Sequence, residues 1–327
     1  VCRVPYNTSD NLKSKLSLFC SIPKENIIDS VDVSNIYQIP INYYEQKIDE
    51  IILNQFNLEL KPANLKEWKK LISTVDNLKD EIEIALVGKY VELHDAYLSV
   101  NESLTHAGYK YNKKIKVNWI DSESLENDSI DLSKVFKSSS GILVPGGFGM
   151  RGIEGKIKAI NYARTKNIPF LGICLGMQLA VIEFARNVCQ IKEANSTEFN
   201  PLTKEPIIDL MANQKSITNM GGTLRLGNYK CQITKDTLAY QDYKKELIEE
   251  RHRHRYEFNN QYKELLESHG LVFSGINPES NLIEIIELPT HCHFIACQFH
   301  PEFKSRPNKP HPLFDSFIKA SINNKNN

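Results

Sequence analysis

Ten residues constrain this chain more than any other stretch: Pro169, Phe170, Leu171, Gly172, Ile173, Cys174, Leu175, Gly176, Met177 and Gln178. Residues 170–173 are apolar and follow a proline, which predicts a short buried strand. From Leu175 onward the residues are mostly helix formers with few polar members, among them Met177, Leu179, Ala180, Ile182 and Phe184. Cys174 stands at the turn between the two, flanked by Gly172 and Gly176. Gly-x-Cys-x-Gly is the cysteine form of a nucleophile elbow. A sharp strand-to-helix turn needs small neighbours, so that the backbone can bend and the sulfur can project above the sheet. The following helix N-terminus carries partial positive charge, which favours thiolate over thiol. The plain alternative is an inert core cysteine, which is where free cysteines usually lie. The paired glycines, together with residues far downstream, point to a nucleophile.

The stretch sits within a strand-helix alternation. Residues 82–87 predict a strand running into Gly88, 97–106 a helix closed by Gly108, and 115–120 a strand. Residues 141–145 form a nearly continuous apolar strand, as in a sheet covered on both faces. Residues 153–166 predict a helix and 170–174 the next strand. The expected fold is therefore α/β, an open, mostly parallel doubly wound sheet with flanking helices. Sites in such sheets form beyond the carboxyl ends of the strands. Residues 145–149 and Cys174 both occupy such ends. From 221 to 300 the pattern predicts a smaller β-rich portion. There, 222–226 and 229–233 would pair as a hairpin, and 271–275, 282–288 and 293–298 would be strands. Residues 310–319 predict a closing helix.

The expected domain organisation follows. Residues 1–45 offer a short helix at 12–20 and a strand at 35–40, too little to bury a core, and read as the end of another domain. Residues 46–80 predict a helical linker, 81–322 the main domain and 323–327 a disordered tail. The opening Val-Cys-Arg-Val-Pro reads as the interior of a longer chain.

A thiol nucleophile needs a base, an orienter for that base, and donors for a developing oxyanion. His300-Pro301-Glu302 supplies the first two, the proline stiffening the turn so that Glu302 can reach the imidazole. Gly146 and Gly147 follow an apolar strand, where bare backbone N–H groups can point at a ligand. Formal net charge is +0, which argues against a general nucleic-acid or membrane partner. No apolar run reaches the ~18 residues of a spanning helix. The seven cysteines are scattered, with no Cys-x-x-Cys pair. That favours a reducing, cytoplasmic setting with no metal site. The run 251–255, three Arg and two His, suits a carboxylate-binding fork better than nucleic acid.

These motifs together resemble the class I (triad) glutamine amidotransferases, and more narrowly the CTP synthase family. The resemblance rests on 172–178 and 300–302, and on 87–90, 143–149, 194–199, 221–227, 250–257 and 296–303. It covers nearly the whole chain. It implies that Cys174 attacks the side-chain amide of L-glutamine to form a γ-glutamyl thioester. It makes His300 the acid and base, and Glu302 its orienter. It places the oxyanion hole at the N–H groups of Gly147 and Leu175. It has glutamine held by these residues with Gly176, Met177, Gln178, Glu198 and Arg255. Phe148, Arg151 and Thr223 fall in stretches the family uses near a GTP activator site. The resemblance further implies a synthetase domain that uses ATP and Mg²⁺ to aminate UTP to CTP, and a homotetramer that can form filaments. No Gly-x-x-x-x-Gly-Lys-[Ser/Thr] phosphate loop occurs in this sequence, and 211–221 reads shorter than the family's loop. Two other readings stand beside it, a γ-glutamyl hydrolase or peptidase on the same fold and an assembly or regulatory module.

Overall fold

The computed structural model describes residues 1–89, 91–210 and 224–325. The chain divides into two compact units, Val1–Lys79 and Asp80–Asn327.

In the first unit β1 (Cys2–Arg3) pairs in parallel with β2 (Asp29–Ser30). Four helices accompany them: α1 (Asp10–Cys20), α2 (Ile39–Glu45), α3 (Ile48–Gln55) and α4 (Lys66–Asp76). Ser9 caps α1 by accepting from the Leu12 N–H, and no residue of α1 is buried. The strand expected at 35–40 is instead helical. The Asn35 side chain accepts from the Tyr37 N–H and starts a 3-10 turn at Ile36–Gln38. Pro40 then falls in the first turn of α2, where its missing N–H costs no hydrogen bond. Trp68 of α4 donates Nε1 to the Tyr37 carbonyl at 2.7 Å.

The second unit opens with β3 (Asp80–Gly88), α5 (Leu98–Lys110), β4 (Lys113–Asp121), α6 (Leu132–Val135), β5 (Gly141–Val144), α7 (Ile153–Thr165), β6 (Phe170–Ile173) and α8 (Leu175–Asn187). It continues through β7 (Ala194–Ser196), β8 (Glu205–Leu210), β9 (Arg225–Ile233), α9 (Leu238–Tyr243) and β10 (Leu247–His254). It closes with β11 (Tyr256–Phe258), α10 (Lys263–Ser268), β12 (Val272–Ile276), β13 (Ile283–Glu287), β14 (Phe294–Cys297) and α11 (Pro312–Lys325). Among the described residues nine strands form one sheet in the order β10-β9-β12-β13-β14-β6-β5-β3-β4. From β14 to β4 all pairings are parallel. From β14 back to β10 all are antiparallel. Most of the β-rich portion thus extends the main sheet, and β11, β8 and β7 form a separate small one.

Alternation along the parallel strands builds a core on each face. Ala85, Val87, Ile142, Val144 and Phe170 pack with buried residues of α7 and α8. Ile84, Leu86, Leu143, Leu171 and Ile173 pack with α5 and α11. This two-sided cover explains the near-continuous apolar runs.

Three further expectations are corrected. Gly108 does not close a helix but lies inside α5, where an added Cβ would meet the Lys113 carbonyl at 2.6 Å. The hairpin expected from 222–226 and 229–233 does not form among the described residues: β9 runs straight through 225–233 and pairs with β10, Gly227 opposite His252. Gly227 has φ +103°, so a residue that reads as a turn is absorbed into a strand. Residues 323–325, expected to be disordered, are the last of α11.

Candidate active site

Both glycines of the elbow are required by close backbone approach. An added Cβ on Gly172 would lie 2.8 Å from Ala296 Cβ and 2.9 Å from the Gly176 carbonyl carbon. On Gly176 it would lie 2.1 Å from the Val144 carbonyl oxygen. Cys174 itself has φ 52° and ψ −103° as the N-cap of α8, a conformation that costs a non-glycine residue about 1–3 kcal/mol. The Cys174 N–H donates to the Cys297 carbonyl at 2.7 Å, and its carbonyl accepts from Met177 and Gln178 at 3.0 and 3.2 Å. Surrounding pairing therefore holds the strain in place. Cys174→Gly should resist urea by about 1–2 kcal/mol more than Cys174→Ala. Equal midpoints would show that the elbow stores no strain.

His300, the expected base, stands beside the sulfur. His300 lies just past β14, and its N–H donates to the Arg251 carbonyl at 2.8 Å. Its ring stacks on Phe303 at 5.5 Å between centroids. Its Nδ1 meets Glu302 Oε1 at 2.7 Å. Burial disfavours a charged ring here, but the Cys174 sulfur and the Glu302 carboxylate outweigh it and raise the His300 pKa to about 10. The surroundings of His300 thus favour the imidazolium. Its Nε2 is buried and, apart from the Cys174 sulfur beside the ring, has no hydrogen-bond partner among the described residues.

The glycine loop after β5 closes the other side. An added Cβ on Gly146 would lie 3.0 Å from His300 Cε1 and 3.5 Å from Cys174 Cβ. Gly147 abuts Leu175, whose Cδ2 is 3.4 Å from the corresponding point. Leu175 is the first residue of α8, where N–H groups have no intrahelical acceptor. The Leu175 side chain thus packs on the Gly147 backbone, and Leu175 directly follows Cys174. Lys89 Nζ donates to the Phe148 carbonyl on the same loop.

The remaining expected residues separate into groups. Glu198 accepts from the Gly149 N–H at 3.0 Å, so it reaches the glycine loop from beyond β7. Arg255 is half-buried at the break between β10 and β11. The charges of Glu198 and Arg255 both act on Tyr256, whose phenol is raised first by burial and then by Glu198. Leu175 and Met177 bury their side chains in the core. Gln178 turns inward and is 3% exposed. Phe148 is half exposed, and Arg151 pairs with Glu123 at 2.6 Å. Thr223 lies outside the described residues, as do Tyr90 and all of 211–221.

Behind the site lies a buried polar cluster that the sequence reading missed. The run 251–255 is mostly strand, so its arginines and histidines alternate: Arg251 and Arg253 face out, His252 and His254 face in. His254 Nδ1 lies 3.2 Å from the Tyr256 carbonyl, and His252 Nδ1 lies 2.9 Å from His254 Nε2. A carbonyl only accepts, so His254 donates from Nδ1 and receives from His252. Burial and the Arg225 charge lower both histidines and keep them neutral. His252 Nε2 is then an acceptor facing Glu284 Oε2 at 3.5 Å. Arg225 donates to Glu284 at 2.6 Å and Glu257 at 3.3 Å. Burial raises Glu284 to about 7, against the opposing pull of Arg225. The folded state thus binds this proton more tightly than the unfolded chain. The stability it contributes is complete below pH ~4.5 and is lost as pH rises through ~7. Glu284→Gln should flatten the fall in stability between about pH 4.5 and 7, read from urea midpoints; an unchanged slope would refute the assignment.

Among the described residues no group of three or more His, Cys, Asp and Glu is placed to hold a metal ion. No helix there is long and apolar enough to cross a membrane.

Comparison with known proteins gives consistent matches. A family model described as glutamine amidotransferase class-I matches residues 92–320, and one described as CTP synthase N-terminus matches residues 1–58. The CTP synthase of Caldanaerobacter subterraneus subsp. tengcongensis is 54% identical over 327 residues, 100% of this chain and 60% of that protein. The CTP synthase of Staphylococcus epidermidis is 55% identical over 326 residues, 99% of this chain and 60% of that protein. The chain therefore spans about three-fifths of the length of these curated relatives. Among solved structures, the glutaminase domain of Trypanosoma brucei CTPS with bound acivicin is 39% identical with a TM-score of 0.70, covering 74% of this chain and 94% of that one.

Proposed function

Since the chain belongs to the class I glutamine amidotransferases, in their CTP synthase branch, we propose that it hydrolyses L-glutamine to glutamate and ammonia at Cys174. One observation carries the reading: a strained cysteine at the head of α8 shares the Gly146 loop with His300, whose Nδ1 meets Glu302 at 2.7 Å. The sulfur attacks the side-chain carboxamide carbon, and the carbonyl π-pair moves onto oxygen. The N–H groups of Gly147 and Leu175 receive that oxyanion, each such donor being worth about 3 kcal/mol. The imidazolium gives its proton to nitrogen, the C–N bond breaks, and ammonia leaves a γ-glutamyl thioester. His300 then takes a proton from water as it attacks the thioester, and glutamate departs with the thiolate restored. Glu302 keeps the ring oriented throughout. Glu198 suits the substrate α-ammonium, Arg255 its α-carboxylate, and Gly176, Met177 and Gln178 complete the pocket wall.

In the whole protein the ammonia would feed the ATP- and Mg²⁺-dependent amination of UTP to CTP by the synthetase domain. Residues 1–45 would belong to that domain, 46–80 to a linker and 81–322 to the glutaminase. Leu18 and Phe19 of α1, 77% and 84% exposed, suit apolar contact with the rest of the synthetase domain. Phe148, Arg151 and Thr223 would respond to GTP as an activator. A cytoplasmic homotetramer, with filaments as a higher assembly, fits the same reading. The direct test is acid quench of the chain turning over labelled glutamine, followed by mass analysis of the Cys174 peptide. A γ-glutamyl adduct is expected, and acivicin should block it by occupying Cys174. No adduct and no acivicin label would sink the reading.

A further inference from the structure

The residue after β14, Gln298, is fully buried. Its Nε2 donates to Cys174 Sγ at 3.6 Å. Its Oε1 accepts from Gln178 Nε2 at 3.2 Å, and that same nitrogen donates to the Tyr256 carbonyl at 3.0 Å. A carbonyl accepts and never donates, so the Gln178 amide stands one way round. Gln178 therefore offers an N–H to Gln298, which fixes the Gln298 oxygen towards Gln178 and its nitrogen towards the sulfur. The Gln298 backbone is itself fixed, its N–H donating to the Glu284 carbonyl at 2.8 Å. Two buried amides thus form a directed relay that ends on the nucleophile.

We propose that Gln298 is a positioning residue for Cys174, an N–H donor that holds the sulfur in its attacking rotamer and stabilises its negative charge. This rests on the glutaminase reading above. Hydrogen bonds to the charged form favour that form. The donor matters most when the tetrahedral adduct of water and thioester collapses. The C–S bond then breaks and sulfur leaves with the electron pair. His300 by then holds the proton it took from water as the adduct formed, and the Gln298 amide, which does not titrate, adds a second N–H aimed at Sγ. That part of the hold on the leaving thiolate is therefore independent of the state of His300.

The test compares the wild-type chain with Gln298→Met, which has similar length and no donor, and Gln298→Glu, which puts a negative charge beside the sulfur. Alkylation of the Cys174 peptide by iodoacetamide is followed from pH 5 to 10, beside kcat/KM for glutamine. The acid limb should move upward by about one pH unit in Gln298→Met and further in Gln298→Glu, with kcat/KM down about ten- to a hundredfold. A purely structural role would lower the folded fraction without moving the limb. Folded variants with the wild-type limb would overturn the proposal while leaving glutaminase turnover in the wild type intact. If neither variant folds, the Gln298 side-chain amide resonance of the ¹⁵N-labelled wild type decides. It should shift when Cys174 is alkylated, and a fixed resonance would overturn the proposal. A wild-type Cys174 no more reactive than the exposed Cys20, with no ammonia released, would instead overturn the glutaminase reading and this inference with it.

Discussion

Replacing Cys174 or His300 by alanine should each lower ammonia release from glutamine by about 10⁴–10⁶-fold, and the double variant should be no worse than the weaker single one. The equality follows from the geometry. On the proposed reading His300 is the proton-transfer partner of the sulfur, and its Nε2 has no other hydrogen-bond partner among the described residues. Each group is useless without the other, so their effects do not add. Glu302→Gln should cost less, about 10²–10⁴-fold, because Gln still contacts Nδ1 but no longer favours the imidazolium. It should also lower the pH at which His300 loses its proton, since Glu302 is among the groups that raise it. Coupled ammonia detection over pH 6–10 checks both points. Additive losses in the double variant would mean that a different base serves Cys174.

The parts of the site written as short contiguous motifs were legible in the sequence. Gly-x-Cys-x-Gly and His-Pro-Glu each fix a turn by local chemistry, and the sheet carries both to the carboxyl ends of adjacent strands, β6 and β14. Apolar runs gave the parallel strands for the same reason, since a strand covered on both faces leaves little room for polar residues. What was misread depended on partners distant in sequence. Gly227-Asn228 has turn chemistry, yet β10 pairs along the whole of β9 and overrides it. Residues 35–40 are apolar enough for a strand, but the Asn35 cap and Pro40 favour a helix start. The Arg-His alternation at 251–254 had the period of a half-buried strand. Reading it as charge alone hid the buried histidines. Gln298 lay within the stretch 296–303 that carried the resemblance, but nothing there gave it a role of its own, because an amide at a strand end has no spacing that marks it. Only the folded chain brings it to Sγ.

Gly176→Ala should be the most damaging single-methyl change to stability near the site. The new Cβ would fall 2.1 Å from the Val144 carbonyl oxygen and 3.0 Å from its carbon. These are backbone atoms of a central strand, paired with β6 on one side and β3 on the other, so no side-chain rotation relieves the clash. The head of α8 must lift from β5, which loosens buried packing under Leu175 and Met177. A loss of about 3 kcal/mol or more is expected, a fall in Tm of roughly 6–12 °C for a unit of this size. Turnover should fall too in whatever folds, because the same movement shifts Cys174 and the Gly146-Gly147 loop that follows Val144. Gly227→Ala is the matched control. That glycine has φ +103° and no atom within 4 Å of an added Cβ, so only backbone strain of about 1–2 kcal/mol is expected. Its glutaminase activity should be unchanged. If the two variants melted alike, contact between α8 and β5 would not be what holds the elbow in place.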